Sequence, residues 1–263
     1  MRYFSIRDVL GELVDSWDGL FFPSSANPGC LIILLDQSAT RGVREATAIS
    51  IQVNKMLGDL GLHCMRGEYV LPRFLVGLYG YSGAGINWAA PELNPTQHQG
   101  LVSIAKLSDI ETFEFDEDEE FYYPIVVPEQ AFGSAPIVQA LEKAREIAES
   151  FALSHPNSFP PFVLNITAGD FGDLDERDFL SACLDITKVS TAQGATLVAH
   201  SKVSSQSETT AFFPTSPEGL DASSNLLFRA SSVIPEPLFR NLKLWGFELG
   251  NYPRLFTHNM PLE

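Results

Sequence analysis

Apolar residues along this chain follow two alternating rhythms. Nearly unbroken runs occur at Leu31 to Asp36, Phe74 to Tyr81, Phe162 to Thr167 and Ala195 to His200. A strand reads this way when both of its faces are covered. Elsewhere Ile137, Ala140, Leu141, Ala144, Ile147 and Phe151 recur at helical spacing behind Pro136, and Phe179, Ala182, Cys183, Ile186 and Val189 form a second stripe. A third helix is expected from Ala46 to Leu60, stopping near Gly61. Leu101 to Ala105 is a further candidate strand, and Tyr122 to Val127 a candidate edge strand. The alternation predicts an α/β domain with a mostly parallel sheet wrapped by helices.

Two stretches break the alternation. Ile6, Val9, Leu10, Leu13, Val14 and Trp17 lie at helical spacing, followed by a loop from Pro23 to Gly29. This predicts an amphipathic helix and linker over residues 1–29 ahead of the main domain at 30–263, packed on its own domain or on a partner. Packing on its own domain is the commoner arrangement, since an exposed apolar face lowers solubility. The carboxylate-rich segment Glu111 to Glu120 reads as a solvated, mobile loop, the alternative being a charged segment that repels nucleic acid or attracts a basic partner.

Composition narrows the function classes. The 263 residues hold 17 basic against 33 acidic side chains, a formal net charge of −16. Such a surface repels phosphate backbones, which argues against nucleic-acid binding. Cys30, Cys64 and Cys183 are scattered in apolar contexts, as reduced core residues are. Asp8, Glu12 and Asp15 interrupt what would otherwise be a signal-type leader, and no run reaches membrane-spanning length. A bacterial-type cytoplasmic location is expected.

The chemistry-bearing residues cluster at strand ends. The run Leu31 to Leu35 ends in Asp36-Gln37-Ser38-Ala39-Thr40, delivering one carboxylate and two hydroxyls to a loop before a helix. That is half of an oxygen shell of the kind hard cations take. Gly80-Tyr81-Ser82-Gly83-Ala84-Gly85 imitates the strand-to-turn nucleophile motif, with His200 and Asp173 or Asp221 as candidate partners in a serine hydrolase. No helical pattern follows Gly85, and Asn87, Trp88, Pro91 and Pro95 indicate a loop, so a glycine-rich turn is the simpler account. His63, His98, His155 and His258 are isolated, and no phosphate-binding glycine fingerprint is present.

The chain resembles the bacterial von Willebrand factor A domain proteins, specifically a small soluble group whose first strand ends in a D-Q-S-G-S motif. The stretches that carry the resemblance are Leu34 to Ser38, Phe74 to Gly80, Ser134-Ala135-Pro136, Phe159 to Thr167, Leu226 to Ser232 and Gly246 to Met260. It implies a three-layer, doubly wound, mostly parallel sheet with helices on both faces and a functional centre at the carboxyl ends of the strands. In that family a divalent cation is held by an Asp-x-Ser-x-Ser loop, a Thr in Gly-Gly-Thr-Pro and an Asp in Ile-Thr-Asp-Gly. The cation then accepts an acidic side chain from a partner.

Carried over by position, Asp36, Ser38 and Thr40 match the first loop, with Ala39 in place of Gly. The second loop reads Gly133-Ser134-Ala135-Pro136 and the third Ile166-Thr167-Ala168-Gly169, so a ligating hydroxyl and a carboxylate are both replaced by methyl groups. Mg²⁺ bound there would be held at about millimolar affinity or worse. Ser134 and Asp170 are neighbours of the lost ligands and candidate substitutes, although Ser134 suits an N-cap and Asp170 a solvated turn. Without metal, Asp36 would be held by nearby amides and hydroxyls. The expectation is a non-catalytic interaction module with a degenerate cation site, using Ser38, Thr40, Ser82 and Asp170 toward a protein partner. It needs no cofactor beyond weakly bound Mg²⁺ and resembles components of bacterial phosphorylation or stress-response systems. The alternatives are a cation-dependent binder with rearranged ligands and the Ser82 hydrolase.

Overall fold

A computed structural model describes residues 23–38, 43–93, 95, 100–116, 121–127, 133–169, 171–204, 210–244 and 246–261. The predicted helix at residues 6–17 lies outside them, as do Thr40 and Asp170.

The central strand is β1 (Gly29–Asp36), buried along its whole length. It pairs in parallel with β2 (Phe74–Ser82) on one side and with β4 (Phe162–Thr167) on the other. β5 (Leu197–Ser204) and β6 (Phe256–Pro261) extend the parallel set beyond β4. A short antiparallel strand, β3 (Gly85–Trp88), folds back on β2. The order across the sheet is β6-β5-β4-β1-β2-β3, with small antiparallel pieces at residues 211–212 beside β6 and 102–103 beside β2. The chain moves from β1 to β2, then crosses back to β4 on the opposite side of β1. The carboxyl ends of β1 and β4 therefore flank the point where winding reverses, which is where open α/β sheets form a crevice.

Alternation along β1 sorts the core into two layers. Leu31, Ile33 and Leu35 pack with Ile49, Val53, Met56, Leu57 and Leu60 of α1 (Val43–His63). Cys30, Ile32 and Leu34 pack with residues of α2 (Ile137–Ser154), α3 (Glu176–Thr187) and α4 (Ala222–Ala230). α5 (Glu236–Leu244) joins the first layer through Leu238 and Leu242. Both faces of the sheet are thus covered by helices, as the unbroken apolar runs require.

Several expectations need correction. The strand expected at Ala195 to His200 begins at Leu197 and runs to Ser204, because residues 190–191 and 194–195 form a small hairpin of their own. Tyr122 to Val127 adds nothing to the main sheet. Phe121–Pro124 instead pairs with Phe113–Asp116, so part of the acidic segment is an ordered hairpin strand rather than a loop. Residues 85–88, read as loop, are the edge strand β3. Leu101 to Ala105 yields two strand residues and then a 3-10 helix, Ile104–Asp109, capped by the Ser103 hydroxyl.

Candidate functional site

Asp36 closes β1 with its side chain on the α2–α4 face and only 3% of its surface exposed. One carboxylate oxygen accepts the Ser38 amide at 3.0 Å and the Ser38 hydroxyl at 2.6 Å. The other accepts the Thr167 hydroxyl at 2.7 Å, across the winding reversal between β1 and β4. Burial raises the Asp36 pKa, opposed by the hydroxyls of Ser38 and Thr167 and by the amides of Ser38 and Ala168. Thr167 is itself oriented by the Gly169 amide, which donates to its hydroxyl at 2.9 Å. Gly169 has φ +77°, and a Cβ there would lie 2.7 Å from Cε of Lys202, so the turn that positions Thr167 needs glycine.

The other rim loops meet each other rather than Asp36. The Ser82 hydroxyl accepts the Ala84 amide at 3.2 Å, which builds the β2–β3 turn. A Cβ on Gly83 would fall 2.8 Å from the Gly133 Cα, so these two backbones touch. Ser134 is exposed and does not cap α2: the cap position falls on Pro136, which offers no side-chain hydrogen bond. The cap role expected of Ser134 is corrected on that ground, and Ser134 is not among the hydrogen-bond partners of Asp36.

The donor set is a poor match to a divalent cation. Mg²⁺ takes near-octahedral oxygens, but Asp36 is a single carboxylate whose two oxygens already accept hydrogen bonds. Ala135 and Ala168 offer no side-chain oxygen. Among the described residues no three His, Cys, Asp or Glu side chains gather in a group that could hold a metal.

The hydrolase constellation is not assembled. β1 and β4 separate Ser82 on β2 from His200 on β5, three strand spacings or roughly 14 Å across the sheet. Asp173 is exposed, and Asp221 pairs with Lys202 at 2.6 Å. His200 belongs instead to a buried polar chain. The Tyr81 hydroxyl donates to Asn165 Oδ1 at 2.8 Å, and Asn165 Nδ2 lies 3.1 Å from His200 Nδ1. His200 Nε2 lies 3.7 Å from Cys183 Sγ. The Asn165 amide donates, so Nδ1 accepts and Nε2 carries the proton toward the thiol. Burial lowers the His200 pKa to about 3 and pushes the Cys183 thiol well up. Both groups are held neutral, the reverse of an activated thiolate–imidazolium pair.

A second polar cluster occupies the rim between β5 and α4. Lys202, 6% exposed, donates to Asp221 Oδ2 at 2.6 Å and to the Ser223 and Ser224 hydroxyls at 3.0 Å each. Ser224 Oγ lies 3.0 Å from His258 Nδ1. Burial raises the Asp221 pKa, but the Lys202, Ser223 and Ser224 hydrogen bonds outweigh it and hold the group well below the ordinary carboxylate range. Sequence reasoning missed Thr167 as a donor, the Asn165–His200 pair and this lysine. The available signal was a polar residue inside an otherwise apolar buried strand.

Scans against protein-family models and curated proteins give no match to this chain.

Proposed function

We propose that the chain is a non-catalytic protein–protein interaction module built on a von Willebrand factor A-like fold whose cation site is degenerate. The observation that carries this reading is the Asp36 carboxylate, which accepts from Ser38 and Thr167 where the resembling family would present it to a metal. Its place at the winding reversal supports the same reading, since that crevice is where such folds present their ligand surfaces. We assign the partner face to the rim after β1 and β2. Ser38 and Ser82 there are 7% and 5% exposed and bonded within their own loops, so they shape the rim rather than touch the partner, while Thr40 and Asp170 lie outside the described residues. The partner is a protein of a bacterial phosphorylation or stress-response system, an assignment that rests on resemblance alone.

Thermal unfolding with and without Mg²⁺ or Mn²⁺ tests the degenerate site. A native-state ligand stabilises as RT ln(1 + [L]/Kd), so about 1 mM ion on a site of about 10 mM affinity shifts the natural chain by well under 1 °C. The double variant Ala135→Thr, Ala168→Asp gains an ion-dependent rise of several degrees. An equally large rise in the natural chain favours the cation-dependent binder instead. Ester hydrolysis abolished by Ser82→Ala would defeat the module reading altogether.

A further inference from the structure

Nζ of Lys202 is held by oxygens of the short segment that opens α4. It donates to Asp221 Oδ2 at 2.6 Å and to the Ser223 and Ser224 hydroxyls at 3.0 Å each. We infer that Asp221, Ser223 and Ser224 form a binding site for a primary ammonium group, with the tethered side chain of Lys202 as its resident ligand. A lysine ammonium carries three N–H donors and no acceptor, so one carboxylate and two hydroxyls saturate it. That donor count selects the group. A hard metal ion takes about six or more oxygens, and a guanidinium presents a planar fork.

The cage is braced by its own hydrogen bonds. Asp221 is the N-cap of α4, its Oδ1 accepting the Ser224 amide at 2.9 Å and the Ser223 hydroxyl at 2.7 Å. The Ser224 hydroxyl is 2.9 Å from Asp221 Oδ2 and 3.0 Å from His258 Nδ1. The serine protons are thus taken up by the carboxylate or the imidazole, which leaves hydroxyl lone pairs for Nζ. The Gly169 turn forms the roof, since a Cβ there would lie 2.7 Å from Lys202 Cε and 3.2 Å from Ser223 Oγ. The Lys202 and Asp221 side chains are 7% and 49% exposed, so the stem is buried while the cage opens on solvent. Lys202 stands opposite Thr167 in the sheet, and the Gly169 amide orients the Thr167 hydroxyl that donates to Asp36. The ammonium therefore ties α4 to the crevice with a charge that cannot diffuse away.

Truncation of the lysine and replacement by a free amine tests this. Lys202→Ala removes the stem and its charge but keeps the N-capped segment, and its thermal midpoint falls by several degrees. About 100 mM ethylammonium chloride, on a site of about 10 mM affinity, restores about 3 °C relative to the same concentration of sodium chloride. If the variant does not fold in sodium chloride, ethylammonium restores its far-UV circular dichroism. Neither the natural chain nor Lys202→Met, whose thioether fills the channel, responds. Lys202→Ala combined with Asp221→Asn loses the response. Absence of an ethylammonium gain in Lys202→Ala overturns the proposal, as does an equal gain from tetramethylammonium, which has no N–H to donate. An equal gain from potassium overturns it in favour of a plain oxygen cage for metal ions.

Discussion

The Thr167 hydroxyl donates to Asp36 across 131 positions of sequence, 2.7 Å from the carboxylate oxygen. It fastens the ends of β1 and β4 where the winding of the sheet reverses, and it satisfies a carboxyl oxygen that the fold has taken out of water. Thr167→Val keeps the shape and removes the donor, leaving one carboxylate oxygen without that partner. The expected cost is about 1–3 kcal/mol in urea unfolding at pH 7, with the Asp36 pKa rising further. A Thr167→Val chain as stable as the natural one would show that the contact carries no weight.

His200 makes stability depend on pH. Its folded pKa is about 3 against an ordinary 6.5, so the unfolded chain binds the extra proton between those values. Stability from this group is complete above pH 6.5 and is lost as pH falls through that window, by about 2 kcal/mol from pH 7 to 5. Asp36 slopes the other way: its raised pKa means its contribution declines as pH rises above the ordinary carboxylate value. Denaturant midpoints for the natural chain and for His200→Gln should diverge on acidification, the variant being the flatter. Parallel curves would remove His200 from the account.

Gly80 has a packing reason. A Cβ there would fall 2.5 Å from Cδ of Gln37 and closer still to its Oε1, and Gln37 is only 5% exposed. Gly80→Ala should cost about 1–3 kcal/mol by overpacking. The double variant with Gln37→Ala should recover most of it, because Gln37 Nε2 has no hydrogen-bond partner to lose among the described residues. A cost that is additive in the double-mutant cycle would mean the two side chains do not compete for space.

Lys202 and Asp221 are asymmetric in burial, at 7% and 49% side-chain exposure. Removing the carboxylate with Asp221→Ala strands a buried ammonium, which keeps only serine hydroxyls. Water reaches Asp221, so the expected loss is about 2 kcal/mol, below that of a fully buried pair. Lys202→Met should cost less, since Asp221 can turn to solvent. Chemical denaturation of the two variants side by side decides the order.

The legible parts of the fold were those with a strong local signature. β1, β2 and β4 stood out because burial on both faces leaves an unbroken apolar run. β6 did not, since Phe256–Pro261 carries Thr257, His258 and Asn259, and Thr257 is satisfied by donating to the Ser201 hydroxyl. α4 and α5 are nine residues each, too short for a helical period to declare itself. At the site, Asp36 and Ser38 were readable as neighbours in one loop. Thr167, Lys202 and Ser224 were not, because their partners lie on other elements.

Apolar residues that fill both faces of a strand cannot say which face is which. A one-residue slip of β4 or β5 would exchange one set of aliphatic side chains for another of nearly equal hydrophobicity. Asn165 and His200 break that symmetry. Slipped, they would point into the aliphatic layer beneath α1 and abandon Tyr81 and Cys183, stranding several polar groups in a dry interior. The buried polar chain thus acts as a proofreader of strand alignment, rejecting sheets that hydrophobicity alone would accept.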